Sequence, residues 1–333
     1  MNPANELKAW QQKAQAQTEL LLERFLPSEK QVPHTLHEAM RYVTLGGGKR
    51  LRPLLVLAAS ELGDADQNAV EQAMAAIEMV HVYSLVHDDM PAMDNDSLRR
   101  GKPTCHVKYD EATALLVGDA LQTQAFDVLS RPTGLPAERQ IAMLSTLAKA
   151  SGSLGMAGGQ AIDLANVGKA MNQAQLEQMH SLKTGALIRT AVVLGALACL
   201  DLDSDDVRTL DNYAAKLGLA FQVIDDVLDC EADTATLGKT AGKDSDNDKP
   251  TYVKLMGLQA ARAYAETLRL VRLRYRHGVS SALDLLDAER SSYAADSALL
   301  ASSLTRLENM ADLYKALGGG LKRETVSQPA AQQ

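Results

Sequence analysis

Apolar residues recur at three- and four-residue intervals along most of the chain and seldom alternate with polar ones. That period predicts helices. The first is expected over Glu6–Phe25, on the outside of a bundle. A second runs from Leu36 to Val43 into the turn Gly46-Gly47-Gly48, and a third from about Arg52 to Leu62, with Pro53 near its first turn. Gln67 to Asp89 reads as one long helix, and Pro91 interrupts it, so Asp94 returns on a loop or a restarted turn. Further helices are expected at 110–130, 137–151, 174–199 and 204–230, with Gly/Pro or charged turns between them. The Gly-, Asp- and Lys-rich segment 231–250 reads as a mobile loop. No strand is required and no short-period repeat stands out, so the expected class is all-α.

The texture changes after about residue 263. Arg269, Arg272, Arg274 and Arg276 precede Gly278 and a long Ala/Leu/Ser stretch. In it Leu300, Leu304, Leu307, Ala311 and Tyr314 follow the spacing of a coiled-coil seam. The expected organisation is a main domain at 1–262, an atypical helical tail at 263–320 and a disordered polar end at 321–333.

Composition narrows the possibilities. With aromatics at 4%, the core must be built from Leu, Ala, Val and Met. A formal charge of −8 argues against a nucleic-acid partner. Cys105, Cys199 and Cys230 are widely spaced without a metal-ligand pattern and read as reduced thiols. The polar start, Met1 to Leu20, has no signal-peptide core, and no apolar stretch reads as a bilayer span. The expected location is the cytoplasm.

The candidate chemistry lies in two acidic clusters, Asp88-Asp89-Met90-Pro91-Ala92-Met93-Asp94 and Asp225-Asp226-Val227-Leu228-Asp229. Asp225 and Asp229 share a helical face, while Asp226 points elsewhere. Such strings also arise on solvated helix ends, but here the flanks are apolar (Ile77, Val80, Leu85, Val86; Leu219, Phe221, Val223, Ile224). Buried carboxylates need a counter-charge, and a hard divalent cation such as Mg²⁺ suits them. Cationic motifs accompany the clusters. In Gly47-Gly48-Lys49-Arg50-Leu51-Arg52-Pro53 three charges crowd a helix start against its dipole; a docked anion would remove the conflict, a solvated helix start being the plainer alternative. Arg99-Arg100-Gly101, Lys183-Thr184-Gly185 and Lys239 add donors. His81, two turns before Asp88, is either a phosphate contact or a satisfied core histidine.

These residues carry a resemblance. The strings GGGKRLRP (46–53), HVYSLVHDDMPAMDNDSLRRGKPTCH (81–106), GDALQTQAF (118–126), GMAGGQAIDL (155–164), HSLKTGALI (180–188), GLAFQVIDDVLD (218–229), LGKTAGKD (237–244) and DKPTY (248–252) are similar to those of short-chain trans-prenyl diphosphate synthases, in particular the bacterial farnesyl type. The resemblance covers about residues 1–260. It implies an isoprenoid-synthase-like helical bundle around a central cavity, a homodimer, and about three Mg²⁺ ions held by Asp88, Asp94 and Asp225, supported by Asp89 and Asp229. Arg99, Lys183 and Lys239 resemble the grip on the allylic diphosphate. Lys49, Arg52, His81 and Arg100 resemble the isopentenyl diphosphate site, and Lys249 a further substrate contact. Thr184 and Gln222 would face the allylic cation, and Tyr83 with Ser84 would form the floor that stops growth at C15, unless Tyr83 only packs the core.

The implied reaction is ionisation of dimethylallyl or geranyl diphosphate, attack by isopentenyl diphosphate and loss of a proton, giving farnesyl diphosphate. A geranylgeranyl diphosphate synthase is the rival within the class. The region 268–320 resembles instead the C-terminal segment of an outer-membrane efflux channel protein, so an inactive chimeric helical protein is the rival from another class.

Overall fold

The computed structural model describes residues 3–201, 204–215, 217–218, 251, 253, 255 and 257. The chain divides into two units, Met1–Leu268 and Arg269–Gln333. The expected loop 231–250, the tail 263–320 and the end 321–333 lie outside the described residues, as do Gln222, Asp225, Asp226, Asp229, Lys239 and Lys249.

The described part is helical throughout apart from one small hairpin. Its elements are α1 (Pro3–Phe25), α2 (His34–Thr44), α3 (Leu51–Ser60), α4 (Gln67–Asp88), β1 (Leu98–Arg99), β2 (Lys102–Pro103), α5 (Cys105–Lys108), α6 (Glu111–Ser130), α7 (Ala137–Ser151), α8 (Met156–Ala165), α9 (Gln173–His180), a π turn (Ser181–Gly185) and α10 (Ala186–Cys199). A further helical run occupies 205–215. The periodic segments up to Cys199 fold as helices with ends shifted by a few residues, the run expected at 174–199 being interrupted by the π turn, while most of the helix expected at 204–230 lies outside the described residues.

Helix α4 is the centre. Ala, Val, Met and Ile surround it on every side, and its buried residues run from Ala69 to Val86. Its start is set by Asp66, whose carboxylate accepts from the Ala69 N–H at 2.8 Å and from the Gly134 N–H at 2.8 Å. It packs chiefly on α6, which begins at Asp110 with the side chain accepting from Thr113 N. Its own Met74 and Ile77 and, around it, Leu22, Leu121, Leu129, Leu147 and Leu187 are fully buried. This is the aromatic-poor core expected from composition.

Three expectations need correction. A strand pair does exist: Leu98 pairs with Pro103 and Arg99 with Lys102. Its two-residue turn, Arg100-Gly101, has φ of 53° and 73°, the mirror-image turn that suits hairpin twist. Two-residue strands leave no alternation to read. Second, α8 was not expected, because two glycines interrupt its apolar pattern. Third, the continuous run Gln173–Cys199 is long and apolar enough to cross a membrane by length and composition. Its apolar residues, Leu187, Ala191, Leu194 and Leu197 among them, are instead buried in the core.

Candidate active site

Helix α4 stops where the first acidic cluster begins. Asp89 caps it, and the chain folds back so that Asp94 N–H donates to the Asp88 carbonyl at 2.9 Å and Asp96 N–H to the Asp89 carbonyl at 3.0 Å. Pro91 cannot continue the helix, and the reversal brings Asp94 beside Asp88, as its position predicted.

The two acids of the Asp88-Asp89 pair have different environments. The Asp88 side chain lines a cleft of about 380 Å³ together with Arg52, His81, Tyr83, Ser84, Met156, Gln160, Lys183 and Thr184. Asp89 is buried and held in two-oxygen contact by Arg99, with Nε at 2.9 and 3.0 Å and Nη2 at 2.5 Å. Burial pushes the Asp89 carboxyl up to about 6, against the pull of Arg99, so it is ionised at neutral pH. Arg99 also lies 3.7 Å from Asp96. Asp89, Arg99 and Arg100 border a separate cavity of about 50 Å³, closed by Tyr42 and Cys105. The cleft thus gathers Arg52, His81, Tyr83, Ser84, Asp88, Lys183 and Thr184 from the candidate set, whereas Lys49, Asp89, Asp94, Arg99 and Arg100 are not among its lining residues.

The two cationic motifs meet. The hairpin tip docks on the glycine turn, Arg100 Nη1 donating to the Gly47 carbonyl at 2.8 Å. Lys49 is exposed, its carbonyl accepting from Gln15 at 3.0 Å. His81 faces this group. Burial first, then Arg52, Arg100, Arg99 and Arg50, hold its pKa well below the ordinary value. It is a neutral imidazole at neutral pH, able to donate one hydrogen bond but not to add charge.

Opposite lies the π turn, where Lys183 and Thr184 interrupt the run from α9 to α10. Lys183 Nζ contacts Asp163 Oδ2 of α8 at 2.5 Å. Helix α8 approaches so closely that a Cβ on Gly159 would sit 2.1 Å from Lys183 N, so glycine is required there. Next to it, both amide atoms of Gln160 are buried without a hydrogen-bond partner among the described residues. Gln160 and Asp163 both lie in GMAGGQAIDL; the string was readable, but no spacing rule attached a role to either. Tyr83, expected as the floor, is fixed by Gln122 Nε2 donating to its hydroxyl at 3.1 Å, with its ring edge-on to His87. Ser84 Oγ donates to the His81 carbonyl at 2.8 Å within its own helix.

Among the described residues no group of three His, Cys, Asp or Glu side chains could hold a metal ion. Asp88 and Asp94 offer the hard carboxylate oxygens that Mg²⁺ prefers, and the other expected acids of the second cluster, Asp225 and Asp229, lie outside the described residues.

Comparison with known proteins gives the class. The Polyprenyl synthetase family matches residues 33–281, and the chain belongs to it. It is 51% identical over 259 residues to a probable farnesyl diphosphate synthase of Sinorhizobium fredii, 77% of this chain and 78% of that protein. Its identity to the farnesyl diphosphate synthase of Escherichia coli is 53% over 234 residues, 69% and 78% of the two chains. A heterodimeric geranylgeranyl pyrophosphate synthase large subunit of Arabidopsis thaliana matches at 45% over 242 residues, 71% of this chain and 65% of that protein. The geranyltransferase of Helicobacter pylori, solved with magnesium and isoprenyl diphosphate, superposes with a TM-score of 0.70 at 32% identity, covering 89% of this chain and 98% of that one. The Outer membrane efflux protein family matches residues 256–319, so the two matches overlap across 256–281.

Proposed function

We propose that the chain is a Mg²⁺-dependent prenyltransferase that condenses isopentenyl diphosphate with dimethylallyl or geranyl diphosphate, giving farnesyl diphosphate and free diphosphate. One observation carries the reading: in a chain of this family, a single cleft is lined by Asp88 together with Arg52, His81, Lys183 and Thr184. Carboxylate and cations around one space suit a ligand that brings both metal and phosphate.

In this reading Asp88 and Asp94, with Asp225 and Asp229, hold about three Mg²⁺ ions, which supply Lewis-acid stabilisation of the departing diphosphate. Asp89 supports them indirectly by orienting Arg99. Lys183, Arg99 and Lys239 grip the allylic diphosphate. Lys49, Arg52 and Arg100 receive the isopentenyl diphosphate with Lys249 nearby, and neutral His81 donates one hydrogen bond to it. Thr184 and Gln222 turn oxygen dipoles toward the allylic cation as its C–O bond breaks. The isopentenyl double bond forms the new C–C bond, and the proton leaves to the released diphosphate. The apolar walls from Met156, Ala161 and Leu164 limit water, which would quench the cation.

The anchored ring of Tyr83 favours C15 over C20, since a wall fixed by Gln122 does not swing aside for a longer chain. A second copy of the chain is the expected partner and the cytoplasm the expected location. The main domain at 1–262 carries the reaction, and the tail at 263–320 and the end at 321–333 are additions to it. The test is condensation by the full chain with Mg²⁺, isopentenyl diphosphate and geranyl diphosphate, followed by mass spectrometry. A C15 product abolished by EDTA is expected; a folded chain giving no product would sink the reading.

A further inference from the structure

We infer that Glu78, through Arg50, is the positioning residue that holds the phosphate-binding loop in shape for isopentenyl diphosphate, an inference that rests on the prenyl-transfer reading above. Arg50 is the middle charge of the Lys49-Arg50-Leu51-Arg52 run, but unlike its neighbours it turns inward and is only 2% exposed. Its guanidinium is shared among three helices. Nε donates to Glu19 Oε1 of α1 at 2.7 Å, Nη1 to Glu78 Oε1 of α4 at 2.7 Å, and Nη2 to the Thr44 carbonyl at the end of α2 at 2.6 Å.

The backbone explains why so many partners are needed. Arg50 caps α3 in the left-handed region, with φ of 49°. An L residue with a full side chain adopts that conformation only at a cost. The ion pairs offset this cost, and the kink sends Lys49 and Arg52 away from the buried side, leaving Lys49 exposed and Arg52 on the cleft.

Glu78 does a second thing. It is 1% exposed and lies 3.9 Å from Arg100, whose other nitrogen reaches Gly47 on the same loop. One carboxylate on the central helix therefore faces both the loop and the hairpin. Glu78 is also three residues before His81, so it ties the loop to the face of α4 that carries the imidazole. Arg50, Arg52, Arg99 and Arg100 all act on His81, and Glu78 is the buried carboxylate between two of them. Without an internal anion these cations would repel one another before any substrate arrived.

The test varies each diphosphate separately in steady-state assays on the full chain. For Glu78→Gln, the KM for isopentenyl diphosphate should rise about tenfold, a loss of about 1.4 kcal/mol, while kcat and the KM for the allylic diphosphate stay within about twofold. A buried arginine that loses its partner can unfold a protein, so helicity and thermal unfolding accompany the assay. Glu19→Gln, at a side chain 33% exposed, is the milder variant and should shift the same KM by about threefold. Titration calorimetry of isopentenyl diphosphate alone repeats the comparison without turnover. Equal rises in both KM values, a fall in kcat with both unchanged, or unaltered binding in Glu78→Gln would each overturn the proposal. If Glu78→Gln does not fold, the split in Glu19→Gln decides. A folded parent chain that binds isopentenyl diphosphate but does not condense it would sink the prenyl-transfer reading alone; one that does not bind it would sink both.

Discussion

Around the cleft, the 45–52 loop with the 98–103 hairpin and the pair formed by α8 with the π turn are built by opposite means. On the first side the protein supplies its own counter-charges: Arg50 has Glu19 and Glu78, Arg99 has Asp89, and Arg100 has Glu78 at 3.9 Å. On the second, among the described residues, Lys183 pairs with Asp163 and the amide of Gln160 is buried with no partner. An unmade buried hydrogen bond costs about 1–3 kcal/mol. Among the described residues the first side carries more ion pairs of its own than the second.

The sharpest way to break this contrast is at the metal. Asp88→Asn should lower kcat by about a thousandfold or more by removing a charge needed only when metal and diphosphate are present. Its thermal midpoint should hardly move; a strongly destabilised variant would mean that Asp88 is structural.

Gln160→Leu separates the two sides more finely. It removes an unpaired buried amide, so thermal stability should hold or rise slightly, while kcat/KM for the allylic diphosphate falls about tenfold to a hundredfold. A loss of stability with full activity would show that the amide serves the fold.

Tyr83→Ala changes the product rather than the rate. Removal of an anchored ring opens the space toward Gln122 and His87, and the product should shift from C15 toward C20 or longer, read by mass spectrometry. An unchanged C15 product would return Tyr83 to ordinary core packing.

The smallest effect concerns pH. His180, at the start of the π turn, is buried, and burial takes its pKa down to about 4. Unfolded, it titrates near 6.5. As pH falls below that value the unfolded chain takes up a proton the folded one refuses, so stability declines between about pH 6.5 and 4. Buried Asp89, raised to about 6, works the other way over much of that window: its contribution is present at low pH and is lost as pH rises from about 4 to 6. The difference between parent and His180→Asn isolates the histidine. It should shrink by a few kcal/mol at most on acidification, and a difference independent of pH would refute the assignment.

Much of this was legible from local pattern. Apolar spacing gave α4 to within one residue of its end, because a helix buried all round keeps its period and Pro91 marks the stop. The reversal bringing Asp94 to Asp88 follows from the same proline. What escaped depended on contacts distant in sequence. Gly158 and Gly159 argue against a helix locally, yet α8 forms, and Gly159 is needed because a Cβ there would meet the Lys183 backbone across the close approach. The hairpin is too short to alternate, and its tip matters through Gly47, fifty-three residues away. Arg50 reads in sequence only as one of three charges at a helix start, and nothing local shows that Glu19 and Glu78 turn it inward. Sequence by itself pointed to the class of chemistry, because so many strings in one order resemble those of one family. Tertiary structure decided which charges are spent inside the protein and which are left for a ligand, because an ion pair between distant segments leaves no periodic trace in the chain.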